Sequence, residues 1–80
     1  MYTMLMFTGP NCSACKAMKP TVTGLTNASI VDVTEDYEAA AKYGIRGGLP
    51  AFIRLKDGVY DDRLSGAQSA AKITRWANGG

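Results

Sequence analysis

The stretch Phe7-Thr8-Gly9-Pro10-Asn11-Cys12-Ser13-Ala14-Cys15-Lys16 decides how this chain is read. A run of apolar, strand-like residues from Tyr2 to Phe7 leads into it, and a helix-like pattern leads out. Gly9, Pro10 and Asn11 make the approach a turn. Cys12 and Cys15 are the only cysteines. They stand at the N-terminal end of the predicted helix, where backbone N–H groups and the helix dipole favour a thiolate. A thiolate beside a second thiol is what thiol–disulfide exchange requires.

Three other uses of the pair compete with this one. A structural disulfide between residues three apart closes a very short loop, and crosslink stabilisation grows with loop length, so the pair is a poor staple. Structural zinc needs a full set of Cys or His ligands. With no His and no third Cys, one chain cannot complete that site, and no metal is expected. Inert buried thiols are common for lone cysteines, but they suit a core segment and not a Gly-Pro-Asn turn. Redox use is the reading favoured by motif, spacing and context together.

Eighty residues make one small domain, 1–80, with a modest core. The apolar fraction of 46% is ordinary for a globular protein and argues against disorder. The net charge is +2, nine Lys plus Arg against seven Asp plus Glu. The basic residues are mostly interleaved with acids and form no stripe, so nucleic acid is not an implied partner. The run from Tyr2 to Phe7 is too short to span a membrane. It also lacks the charged flank and cleavage site of a signal peptide. A monomer in a reducing cytoplasm is the expectation, and there a Cys-x-x-Cys pair is more often catalytic than structural.

Tyr2 to Thr8 reads as a central strand buried on both faces, because Met4, Leu5, Met6 and Phe7 are consecutive. From Asn11, taken as the helix cap, Cys15, Met18, Val22 and Leu25 form one apolar helical stripe. Pro20 is expected to kink this helix, and Asn27 to close it. Ile30 to Val33 is a short strand. Asp36 opens a second helix that runs through Tyr43 and stops at Gly44. Gly47-Gly48-Leu49-Pro50 is a loop. Ala51 to Lys56 is a strand, Asp57-Gly58 a hairpin turn, and Val59 to Leu64 an edge strand. The last helix is expected over about Gln68 to Asn78, with Ala70, Ile73 and Ala77 on one face beside Trp76. The order β-α-β-α-β-β-α implies a parallel first pair and an antiparallel hairpin. That is a four-stranded mixed α/β sheet flanked by three helices.

At these residues the chain resembles the thioredoxin and glutaredoxin superfamily. Cys12-Ser13-Ala14-Cys15-Lys16 with Pro20 matches the redox motif and its kinking proline. The segment from Val31 to Glu38 and on through Lys42-Tyr43-Gly44-Ile45-Arg46-Gly47 is similar to the thioredoxin approach to a cis-proline, for which Pro50 stands. Phe52 to Gly58 fits the strand and turn that follow, and Gly66-Ala67 the glycine before the last helix. The resemblance covers nearly the whole chain and implies the minimal thioredoxin fold. There are departures. Asn11 stands where the family has Trp, and Met6 where it has a buried acid. Gly48 is an additional glycine after Gly47, and Ser-Ala replaces Gly-Pro between the cysteines. The glutathione-binding Gly-Gly-x-Asp of glutaredoxins is not evident at Ser65-Gly66-Ala67-Gln68.

The resemblance implies a dithiol reductant of protein disulfides, with Cys12 as nucleophile and Cys15 as resolving thiol. Lys16 adds positive potential near Cys12. Substrate contact falls to Pro50, Leu49, Gly48, Pro10 and Asn11, with the Leu49 backbone pairing an extended client. No cofactor is expected beyond the redox-active Cys12–Cys15 disulfide. Electrons would come from NADPH through thioredoxin reductase, or from glutathione. The clients would be disulfide-containing proteins, ribonucleotide reductase being one the family suggests. A glutathione-dependent glutaredoxin, a non-catalytic binding subunit and an iron–sulfur dimer are the competing classes.

Overall fold

The strand that carries the motif lies inside the sheet. In the computed structural model, which describes residues 1–80, strand β1 spans Tyr2–Thr8 and β2 spans Ala28–Asp32. Strand β3 spans Ala51–Lys56 and β4 Val59–Ser65, in the order β2-β1-β3-β4. β1 runs parallel to β2, pairing Met6 with Ile30, and antiparallel to β3, pairing Phe7 with Ala51. β3 and β4 form an antiparallel hairpin. Its turn uses Asp57 at φ 52° and Gly58 at φ 82°, and this left-handed pair twists as the flanking strands do. The expected mixed sheet with three helices is the observed one.

The alternation of β1 splits its side chains between two cores. Met4 and Met6 join Met18 and Val22 of α1 (Ser13–Thr23), Phe52, and Ile73 and Trp76 of α3 (Ala70–Trp76). Phe7 points the other way and packs with Ala40 of α2 (Tyr37–Lys42), Ala51 and Ile53. Phe7 and Phe52 are fully buried, each side chain contributing about 1.5–3 kcal/mol. Helices α1 and α3 therefore cover one face and α2 the other, which buries β1 on both sides as its apolar run requires.

Several boundaries differ from expectation. Helix α1 is capped by Cys12 and not Asn11, which adopts φ 60° instead. α1 ends at Thr23 with Gly24 as its C-cap. Asn27 does not close it. Its amide bridges the carbonyls of Tyr2 at 3.1 Å and Ala77 at 2.9 Å, tying β1 to the last helix. Leu25 lies beyond the helix but still packs against the core. Strand β2 begins at Ala28, earlier than the β-branched run suggested. α2 starts as expected, with the Asp36 carboxylate accepting the Ala39 N–H, and Gly44 follows its end at φ 67°. α3 is shorter than expected because Ser69 caps it. Ile73, Trp76 and Ala77 are buried, whereas Ala70 is exposed.

Arg54 joins β3, β4 and α3. Its side chain is 11% exposed and pairs with Asp61 at 2.7 Å. The guanidinium donates to the Trp76 carbonyl at 2.9 Å and lies over the Tyr2 and Trp76 rings. The planar fork and the two ring faces suit arginine better than lysine. The Trp76 indole N–H in turn donates to Asp62. Trp76 is thus a packing residue, as expected.

Candidate active site

Both sulfurs belong to the first turn of α1. Cys12 and Cys15 are joined as a disulfide with their Cα atoms 5.3 Å apart. Cys12 has extended backbone, φ −105° and ψ 97°, as an N-cap residue does. Its Sγ accepts the Cys15 N–H at 3.2 Å, and its carbonyl accepts the Lys16 N–H at 3.2 Å. The remaining N–H groups of the turn leave the helix N-terminus electropositive. Negative charge on Cys12 sulfur would be stabilised there.

The two sulfurs differ in access. Cys15 is 1% exposed, while Cys12 is half-buried at the rim. Met6 is fully buried in the core and Thr8 is the only polar residue in the buried set. No carboxylate therefore lies in the core behind Cys15. Lys16 is exposed and makes no salt bridge. Pro10 and Asn11 precede Cys12 as an exposed turn.

A second loop meets this one. The Leu49–Pro50 peptide is cis, and Pro50 is fully buried. The Gly66 N–H donates to the Pro50 carbonyl at 2.8 Å and to that of Gly48 at 3.3 Å. Leu49 between them has neither its N–H nor its C=O hydrogen-bonded within the chain. Gly47 at φ 150° and Gly48 at φ 64° use a backbone region closed to most side chains. The Leu49 side chain reaches Gly9, placing the Gly48–Pro50 loop against the base of the turn that carries Cys12. Of the residues singled out in the sequence, Pro10, Asn11, Cys12 and Cys15 thus form one segment and Gly48, Leu49 and Pro50 another, joined through Gly9.

Gly9 itself was not among those residues, and neither was Val33, which donates its N–H to the Thr8 carbonyl at 2.9 Å. Gln68 was not marked either, yet its N–H donates to the Met18 thioether at 3.2 Å, holding the loop before α3 to α1. Met18 follows Cys15 by one helical turn. At the end of β2, the Thr34 hydroxyl and N–H hold the Asp32 carboxyl below its ordinary range. Neither surface cavity is lined by a cysteine. No three His, Cys, Asp or Glu side chains come together as a metal cluster, and no helix is long and apolar enough to cross a membrane.

This arrangement can exchange one disulfide for another. The family model whose description is Thioredoxin matches residues 2–79. The structure of Fasciola hepatica thioredoxin is 31% identical, over 96% of this chain and 78% of that one, with a TM-score of 0.84. Reduced Schistosoma mansoni thioredoxin pre-protein is 28% identical over 96% and 76% of the two chains, TM-score 0.83. A point-mutant thioredoxin of Halobacterium salinarum, at 23% identity over 96% and 72% with a TM-score of 0.82, is alike in fold. No curated protein sequence matches the chain.

Proposed function

The chain belongs to the thioredoxin family, and on that premise we propose that it is a thiol–disulfide oxidoreductase that reduces protein disulfides. One observation carries the reading. The Cys12–Cys15 disulfide caps a helix N-terminus with one sulfur at the rim and the other 1% exposed. The turn leading into it is met at Gly9 by the side chain of Leu49, whose backbone makes no hydrogen bond within the chain.

The chemistry follows from the geometry. In the reduced protein, the Cys12 thiolate attacks one sulfur of a client disulfide. A Cys12–client bond forms, the client S–S bond breaks, and the departing sulfur takes up a proton. Cys15 then loses its proton and attacks Cys12 Sγ. The intramolecular disulfide forms and the second client thiol leaves. Two electrons have passed from the protein to the client, with one proton released by Cys15 and the other taken from solvent, since Cys12 reacts as the thiolate. An extended client segment pairs with the free N–H and C=O of Leu49, while exposed Gly48, Pro10 and Asn11 flank the approach and buried Pro50 holds the loop from beneath. Lys16 adds positive potential on the exposed side.

The thioredoxin-like run from Tyr43 to Gly47 and the missing Gly-Gly-x-Asp at Ser65-Gly66-Ala67-Gln68 favour protein disulfides as clients and electrons from NADPH through a thioredoxin reductase. Glutathione is the alternative source. Disulfide-forming enzymes such as ribonucleotide reductase are the proposed clients. The protein is proposed to act as a monomer in a reducing cytoplasm, where such a dithiol is kept in use.

The test is NADPH-coupled reduction of the Cys12–Cys15 disulfide in two arms. One contains thioredoxin reductase, the other glutathione and glutathione reductase. Turnover in the first arm alone is expected. Turnover with glutathione alone would make the protein a glutaredoxin. Silence in both, with biological activity retained after both Cys12→Ser and Cys15→Ser, would make it a binding subunit.

A further inference from the structure

Gly9 stands where three segments leave the sheet. β1 ends one residue before it. Val33 follows β2 and bonds the last carbonyl of β1. Leu49 precedes Pro50 and β3. A Cβ placed on Gly9 would lie 2.9 Å from Leu49 Cδ1 and 3.6 Å from Val33 Cγ2. Apolar carbons pack best at about 3.5–4.0 Å, so a Leu49 methyl already fills the room that a side chain at position 9 would take. Gly9 is not among the glycines of positive φ. What glycine supplies here is space, not backbone freedom.

Leu49 needs such a seat. Its main chain makes no hydrogen bond within the protein, so its orientation depends on buried Pro50 and on its own side chain. That side chain is half-buried and packs with the α2-side core. An incoming client segment that pairs with Leu49 meets a backbone aimed in advance only if the side chain stays seated. Loss of that order costs binding affinity rather than chemistry.

We propose that the notch at Gly9 is a positioning element for client docking: it seats the Leu49 side chain and so aims the free Leu49 N–H and C=O at an extended client. The inference rests on the protein-disulfide reading above. Gly9 touches no reacting atom. A methyl at position 9 would push the far end of a flexible side chain, so Gly9→Ala displaces Leu49 at little cost to the fold.

The experiment mixes pre-reduced protein with excess insulin or with cystine, quenches with acid, and follows formation of the Cys12–Cys15 disulfide by alkylation of the denatured protein and mass spectrometry. Gly9→Ala is expected to raise the half-saturating insulin concentration by at least about threefold, within the roughly 2- to 150-fold span of couplings between touching side chains. The limiting rate should hold, and the cystine rate should change by less than about twofold. In a Leu49→Ala background, where the seat is empty, the same Gly9→Ala change should shift the insulin value by less than about twofold. An equal rise in both backgrounds, no rise at all, or a parallel fall with cystine would overturn the inference. If Gly9→Ala does not fold, Leu49→Ala alone decides: it must slow insulin more than cystine. A wild-type protein that reduced cystine but not insulin would overturn the protein-disulfide reading, and this inference with it. A wild type that reduces both, with Gly9→Ala indistinguishable from it, overturns the inference alone.

Discussion

The Sγ of Cys12 accepts the backbone N–H of Cys15 at 3.2 Å, so the first sulfur of the pair is also the cap of α1. One atom serves local stability and chemistry together, and substitution can separate the two. In the reduced protein, Cys12→Ser keeps an acceptor at the cap and Cys12→Ala removes it. The alanine variant is expected to be less stable than the serine variant by about 1 kcal/mol. For a domain of this size that is about 4–8 °C in melting temperature. Both variants should fail to reduce insulin. Equal melting temperatures under reducing conditions would remove the capping role.

Access predicts selective labelling. With Cys15 1% exposed and Cys12 at the rim, iodoacetamide added briefly to the reduced, folded protein should modify Cys12 and leave Cys15 free. Mass spectrometry of the digested product reads the site. Denaturation before labelling should bring both cysteines into reach. Equal labelling in the folded state would contradict the burial.

Asn11 holds φ 60° next to Cys12, a region open to Gly and tolerated by Asn. Asn11→Gly should leave stability almost unchanged. Asn11→Val should cost about 1–2 kcal/mol, the penalty of a left-handed backbone for a side chain branched at Cβ. Urea unfolding of the two variants checks this. A valine variant as stable as the glycine variant would mean that the turn is free to change conformation.

Stability should fall in acid with a definite sign. The Asp62 carboxyl is held below the ordinary aspartate range, chiefly by the Arg63 backbone N–H, then by the Trp76 indole N–H and by Arg54. The unfolded chain therefore binds its proton at higher pH than the folded one. The contribution is fully present above the unfolded value of about 3.9 and is lost as pH falls through the lower folded value. Asp32 and Asp57 are lowered in the same sense, chiefly by the Thr34 hydroxyl and the terminal ammonium of Met1 respectively. Asp62→Asn should flatten part of the decline in melting temperature below about pH 4 and leave the part due to the other two. An unchanged acid limb would show that the carboxyl contributes nothing there.

Much of the architecture was legible because local signals agreed with it. Asp57-Gly58 announces a left-handed two-residue turn, Asp36 and Gly44 bracket α2, and the unbroken apolar run of β1 states that both its faces are covered. The start of α1 was misplaced by one residue. Asparagine is the usual capping side chain, and only the φ of 60° at Asn11 reveals that the cap has passed to a sulfur. Asn27 misled in a similar way. Its amide satisfies carbonyls of β1 and the last helix, partners 25 and 50 residues away. Ala70 fits the period of α3 but precedes the turn that reaches the core. The cysteines were legible from spacing and context. The contact between Gly9 and Leu49 was not, because no periodicity couples residues so far apart in the chain when one has no side chain.

The unequal exposure of the two sulfurs also makes the dithiol a latch with one door. In the proposed exchange a large disulfide would meet Cys12 first, so the order of events would follow from exposure even if both thiols were equally reactive. It follows that Cys15→Ser closes the way out and not the way in. Clients would accumulate on Cys12 as covalent adducts, and the variant would serve as a hook that retrieves them.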